Sequence, residues 1–173
     1  MPFYLHPRDP LPSRAREFDG HPWLMGAAWA FGAETALHAL RLLSSGLFDR
    51  HPSLTIILGH LGEGLPYNVW RLDQCLRRAL RGIPARRPIA EYLKANVYLT
   101  TSGNFRTPTL LDALAEIGAD RIMFSVDYPF EDSDQASRWL DETDLSDTDR
   151  MKIGRINAAR LLRLEPAAAQ SVA

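Results

Sequence analysis

The 173-residue sequence contains one cysteine, Cys75. A single thiol excludes an internal disulfide and suits a reducing compartment. In a helical context Cys75 reads as a face residue without a role. No excess of charge of one sign is present: 20 Lys and Arg stand against 21 Asp and Glu, for a net charge of −1. That balance excludes nucleic acid or an anionic membrane surface as an electrostatic partner. The arginine-rich stretch "RRALRGIPARR" has no interleaved aromatics and reads as a solvated helix end and loop. No long hydrophobic run occurs. The most apolar stretch, "WLMGAAWAFGA", is too short for a bilayer and is broken by glycines. The opening "MPFYLHPRDP" turns proline-rich and polar at once and has no secretory pattern, so the expected location is the cytoplasm. A phosphate-binding Walker loop, a G-x-S-x-G elbow, a G-x-G-x-x-G after a strand and a C-x-x-C pair are all lacking.

What is present is the composition of a soluble globular domain, 46% hydrophobic and 24% charged, with enough chain for one substantial core. Short buried-type runs alternate with helical patterns. "FYLH" is a β-prone run stopped by Pro7, and residues 7–22 read as a long proline-rich loop. Residues 33–48 carry Leu and Ala at helical spacing, weakened near Gly46. "TIILGH" is a strand of the fully buried kind. "LPYNVWRLDQCLRRAL" is a helix with Leu65, Val69, Leu72 and Leu76 on one side. "RPIAEYLKA" is a short helix opened by Pro88, and "NVYLTTS" is a strand. "TPTLLDALAEIG" is a helix with Thr107 as N-cap, Pro108 at its first position and Gly118 past its end. "RIMFSVD" is a fourth strand, and short helices close the chain. Strands separated by helices predict a parallel α/β sheet. Two architectures compete: an open doubly wound sheet, and part of a (β/α)8 barrel. A full barrel takes about 250 residues, so four strands amount to roughly half of one. One domain over 1–164 and a disordered tail over 165–173 are expected.

The strand candidates end in polar groups: His6, His60, Ser102 with Asn104, and Asp127. In parallel α/β folds the C-terminal strand ends form one rim, where sites are built. His6, His60 and Asp127 are together a candidate metal set of a kind that suits Zn²⁺ or Mn²⁺. Singly, each has an ordinary structural reading, as a hydrogen-bonded strand-end histidine or a turn-forming aspartate. "GHLGEG" pairs an imidazole with a carboxylate three residues on, which suits acid–base work. His38 and His51 read as a helix-packing residue and a turn residue. His21, at the end of the long loop, is placed where that loop would cover the rim and touch a substrate.

"PFYLHPR", "GHPWLMGAAWAF", "ETALHALRLLSSGLFDRHPSLTIILGHLGEGLPYNVWRLD", "TTSGNF" and "RIMFSVDYPFED" resemble the decarboxylase branch of the amidohydrolase superfamily. The likeness is strongest to its γ-resorcylate (2,6-dihydroxybenzoate) and 2,3-dihydroxybenzoate decarboxylases, and it runs in order over residues 2–164. It implies a distorted TIM barrel with one divalent metal at the rim and no organic cofactor. It implies His6 and Asp127 as metal ligands from the fifth and eighth strands, and His60 and Glu63 as a hydrogen-bonded pair beside the metal. It also implies Arg71 as a residue that helps hold the site and Phe130 as an aromatic near the substrate. The substrate would be a small aromatic carboxylic acid with an ortho hydroxyl, and Asp127 would protonate the carboxyl-bearing ring carbon.

The Glu-x-His or His-x-His pair that the family carries on its first strand has no counterpart here. The expectation is therefore the C-terminal half of such a barrel, strands five to eight, with two open sheet edges and an exposed apolar inner face. Such a chain would pair with a missing N-terminal half or form a homo-oligomer. Two alternatives stay open: a lactonase-like hydrolase of the same superfamily, and a non-catalytic fragment or subunit.

Overall fold

The computed structural model describes residues 1–79 and 81–164; the expected tail at 165–173 lies outside them. Four parallel strands form one sheet: β1 (Phe3–Leu5), β2 (Ile56–Leu58), β3 (Val97–Thr100) and β4 (Ile122–Met123). Their spatial order is their chain order. Leu5 sits beside Leu58, Leu58 beside Leu99, and Leu99 beside Ile122. An open doubly wound sheet needs a reversal of strand order. None occurs among these strands, so the sheet has the sequential order of a barrel arc.

The connecting helices are α1 (Ala30–Ser44), α2 (Leu47–Arg50), α3 (Leu65–Arg78), α4 (Ile89–Asn96) and α5 (Thr107–Ile117). After β4 come α6 (Ser133–Glu142), α7 (Asp147–Met151), a π-helical segment at Lys152–Ile156 and α8 (Asn157–Leu162). The helix expected at 33–48 starts earlier and is split at Gly46, which adopts φ +70°. Thr107 is the first residue of α5 rather than its cap, so Pro108 is second. Pro88 precedes α4 with no cap of its own. The nearly buried Asp73 of α3 serves instead, accepting from Ile89 N at 2.7 Å and Ala90 N at 3.0 Å. Those N–H groups have no partner within the helix.

Alternate strand residues face opposite ways. Ile56, Leu58, Val97, Leu99 and Ile122 join one large core with Ala39, Leu43, Val69, Leu93 and Leu110 of the helices. On the other face Ile57, Tyr98 and Met123 are only 4–7% exposed and pack with Ala158 and Leu161 of α8. The Arg121 guanidinium lies 4.7 Å from the centre of the Tyr98 ring. The expectation of an exposed apolar inner face is thus corrected: α8 and Arg121 cover most of it, and Tyr4 is its exposed member. The expectation of two open edges is corrected as well. Phe124, directly after β4, donates its N–H to Ile153 O at 2.8 Å, and the 152–156 segment packs along that side. Among the described residues, β1 pairs on one side alone.

Candidate active site

Beyond β2 the chain enters a rare backbone state. His60, Leu61, Gly62, Glu63 and Gly64 all have positive φ, between 51° and 84°. Glycine occupies this region freely; His, Leu and Glu each cost about 1–2 kcal/mol there. The left-handed run folds Glu63 back over its own turn. Its Oε1 accepts the Nδ1–H of His60 at 2.6 Å, and its side chain is only 7% exposed. That carboxylate raises the His60 pKa above its ordinary value, against the opposing effect of burial. With Nδ1 committed to Glu63, Nε2 faces Asp127, whose Oδ2 is 3.6 Å away.

Asp127 lies in the loop after β4, also at positive φ (+84°). Its carbonyl accepts from Phe130 N at 2.9 Å, closing the turn. Gly103, at φ +61°, lies against both partners: a Cβ there would sit 3.0 Å from His60 Cδ2 and 3.4 Å from Asp127 Oδ2. Behind the pair a row of hydroxyls crosses the sheet. Tyr4 OH, Thr100 Oγ1, Ser102 Oγ and Ser125 Oγ are linked at 3.1, 2.7 and 3.3 Å. This row ties β1 to β3 and to the loop after β4, passing over the bare Cα of Gly59.

His60, Glu63 and Asp127 open onto a cleft of about 530 Å³. Trp29, Phe31 and Ala36 form its apolar wall, and Asn68, Asn104 and Glu131 add polar groups. A small, mostly apolar cavity with a few convergent polar groups is the general form of a small-molecule site.

The other expected site residues lie elsewhere. His6 follows β1 directly; its Nδ1 is held by Pro7 O at 2.9 Å, which leaves Nε2 available. It borders a different cleft, with Arg8, Asp9, Glu34 and His38. Arg71 is exposed on α3 and borders an apolar groove with Leu40, Leu72 and Cys75. Phe130 is adjacent to the Asp127 turn but 84% exposed. His21 is exposed, its ring edge against Trp23, and it does not border the Asp127 cleft. His38 pairs with Glu34 at 3.0 Å on the surface.

Among the described residues, no group of three or more His, Cys, Asp or Glu is spaced to hold a metal ion. The three-residue metal set read from the strand ends is corrected accordingly: His60 Nε2 reaches Asp127 Oδ2, and His6 does not join the two as a third ligand of one set. Asp127 and His6 Nε2 are chemically suited to a divalent cation, but two donors fall short of the four of a typical zinc site. Reasoning from sequence missed Trp29, Phe31, Asn68 and Glu131. The first two lie in "WLMGAAWAF" and carry no polar signal; Glu131, beside Phe130, was masked by the aromatic.

The amidohydrolase family model matches residues 1–164. A γ-resorcylate decarboxylase of Polaromonas sp. is 60% identical over 166 residues, covering 95% of this chain and 51% of that protein. A γ-resorcylate decarboxylase of Rhodococcus jostii is 54% identical over 169 residues, covering 95% and 51%. A solved dihydroxybenzoic acid decarboxylase from Polaromonas sp., with bound manganese and the inhibitor 2-nitroresorcinol, superposes with a TM-score of 0.90 at 60% identity. That superposition covers 96% of this chain and 51% of the other. A 2,6-dihydroxybenzoate decarboxylase complexed with 2,6-dihydroxybenzoate gives 0.89 at 59% identity, covering 95% and 51%. The chain spans about half the length of the curated relatives it matches.

Proposed function

The chain belongs to the amidohydrolase family, and we propose that it supplies strands five to eight of a metal-dependent, non-oxidative hydroxybenzoate decarboxylase. The site becomes complete when a further polypeptide segment pairs with the free side of β1. The observation that carries this reading is the His60–Glu63–Asp127 constellation on the cleft, taken with the names of the relatives above. Manganese bound in the Polaromonas structure favours Mn²⁺ over Zn²⁺ as the metal. Asp127 and His6 Nε2 would hold it from this chain, and the remaining ligands would come from the completing segment. Such a cation supplies charge stabilisation to a carboxylate and its ortho oxygen.

Releasing CO₂ from an aromatic ring requires a proton at the carboxyl-bearing carbon, so that the carbon–carbon bond can break toward CO₂ and leave the ring whole. Asp127 donates that proton; the substrate loses CO₂, gains the hydrogen and undergoes no net redox change. His60 is the neighbouring proton store. Glu63 favours its charged form, and its Nε2–H faces Asp127 Oδ2, the oxygen to be reprotonated after each turnover. Trp29 and Phe31 form an apolar wall against which a planar ring would lie.

The lactone-hydrolase alternative is the weaker reading, since every relative named above is a decarboxylase. The test is complementation. This chain is mixed with the N-terminal half of the Polaromonas relative, Mn²⁺ and 2,6-dihydroxybenzoate, and CO₂ is measured. Release by the mixture, absent from either half alone and lost in Asp127→Asn, is the expected result. A mixture that binds Mn²⁺ and releases no CO₂ would overturn the proposal.

A further inference from the structure

Gly32 lies near the start of α1 and borders the cleft. Its φ is not in the left-handed region, so the backbone has no need of glycine there. Glycine inside a helix is disfavoured relative to alanine, and α1 is otherwise rich in alanine at this end, with Ala30, Ala33 and Ala36. The reason for glycine lies across the cleft. A Cβ at position 32 would sit 2.9 Å from Glu63 Oε2 and 3.8 Å from Glu63 Cδ, with nothing else within 4 Å.

Glu63 is thereby held at both oxygens. Oε1 takes the Nδ1–H of His60 at 2.6 Å, while Oε2 rests against the bare face of the helix. The only atoms that a methyl group at 32 would meet are the far end of that one side chain. Yielding there costs the fold little. It comes at the expense of the His60 bond, because Oε1 and Oε2 belong to one planar carboxylate, and moving Oε2 off the helix turns Oε1 away from His60 Nδ1. Gly103 performs a similar service on the other side of the imidazole, but its positive φ gives it a second reason to be glycine.

We propose that Gly32 is a positioning residue: its missing side chain seats the Glu63 carboxylate so that it holds the His60 imidazole in one orientation, with Nδ1–H on Glu63 and Nε2 toward Asp127. This goes beyond the proposed reaction. It concerns the pair itself and holds for any chemistry that the pair performs, so the decarboxylase reading and this one fail separately.

The experiment is long-range ¹H–¹⁵N NMR of the histidine rings in the full 173-residue chain, with Glu63→Gln as the reference for a lost pair. In the wild type, the His60 Nδ1–H resonance is expected far downfield and slow to exchange. Gly32→Ala should move it to the Glu63→Gln position or broaden it away. The amide spectrum away from 60–64 and from the turns flanking position 32 should stay in place, and the thermal midpoint should fall no further than in Glu63→Gln. A purely structural role for Gly32 would not move that ring resonance, and a folded Gly32→Ala protein with the wild-type signal overturns the proposal. Should Gly32→Ala fail to fold, the double variant Gly32→Ala/Glu63→Ala decides. It removes the one group that the new methyl meets, so folding must return; a double variant that stays unfolded also overturns the proposal.

Discussion

The two ends of the sheet spend their polar groups differently. At the N-terminal end, Asn96 and Asn157 are buried, and their amides tie loops together. Asn96 Nδ2 donates to Pro52 O and Leu54 O at 3.0 and 2.9 Å; Asn157 Nδ2 donates to Ala119 O and Ile122 O at 2.7 and 2.8 Å. Their backbones are regular and no described cleft opens onto them. At the C-terminal end, His60, Glu63 and Asp127 all have positive φ, and Asp127 and the outer nitrogen of His60 face a cleft. One end is closed, its amides tied to backbone carbonyls, although Asn96 Oδ1 is buried there without a hydrogen-bond partner among the described residues. The other holds strained backbone and groups still able to bind. Strain of this kind persists only where the surrounding structure enforces it, and it clusters at functional sites. In barrel folds the same division separates the stabilising face from the catalytic one.

The sharpest way to break this comparison is at the closed end. Asn157→Ala removes three hydrogen bonds, to Ala119 O, to Ile122 O and from Arg160, and strands the buried Ile122 carbonyl, while Ala119 O keeps the Ile122 N–H; it should lower stability by about 3 kcal/mol in urea unfolding. It should leave the His60 ring resonances unchanged; a shift there would mean that the two ends are not separable. Next comes Gly62→Ala. A Cβ at this left-handed position would meet Leu99 side-chain carbons at 3.0 and 3.2 Å and Pro66 Cδ at 3.1 Å. A loss of about 2 kcal/mol is expected, from strain and overpacking together. A neutral effect would show that the left-handed turn is not held by the core beneath it.

The smallest effect belongs to the pair itself and depends on pH. Since Glu63 raises the His60 pKa in the folded chain, charged His60 contributes stability that is fully present below its unfolded value, ordinarily 6.5. That contribution fades as the pH climbs through the higher folded value. In the metal-free chain, Glu63→Gln should therefore cost about 1 kcal/mol near pH 6 and progressively less in alkaline solution. Urea midpoints across that range check it, and a deficit that grows with pH would reverse the assignment.

Much of this was legible in the sequence, for physical reasons. Buried runs such as "TIIL" and "VYL" have few alternatives to a central parallel strand, and the polar residues that end them mark the rim. The His60–Glu63 pair was legible as an imidazole and a carboxylate three apart among glycines. Its geometry was not, because local propensity argues against His, Leu and Glu in a left-handed run; the core beneath Gly62 overrides it. The start of α1 at Ala30 carried no capping signal. The covering of the far side of β4 depends on Ile153, distant in the chain, whose carbonyl takes the Phe124 N–H. The roles given to Arg71 and Phe130 came by resemblance to proteins about twice this length; that of His6 came also from its strand end, and that of His21 from its place at the end of the long loop. In this chain those residues lie outside the Asp127 cleft, whose walls come instead from Trp29 and Phe31, apolar residues that no chemical motif distinguishes from core.

The central claim is that the rim carries half of a metal site, centred on Asp127. The most direct test is the manganese content of the chain after equilibrium with Mn²⁺ and exhaustive dialysis, alone and mixed with the N-terminal half of the Polaromonas relative. The account predicts no stoichiometric metal on the chain alone, and about one ion per complemented pair that Asp127→Asn abolishes. Manganese held equally by wild type and Asp127→Asn, in either form, would contradict it.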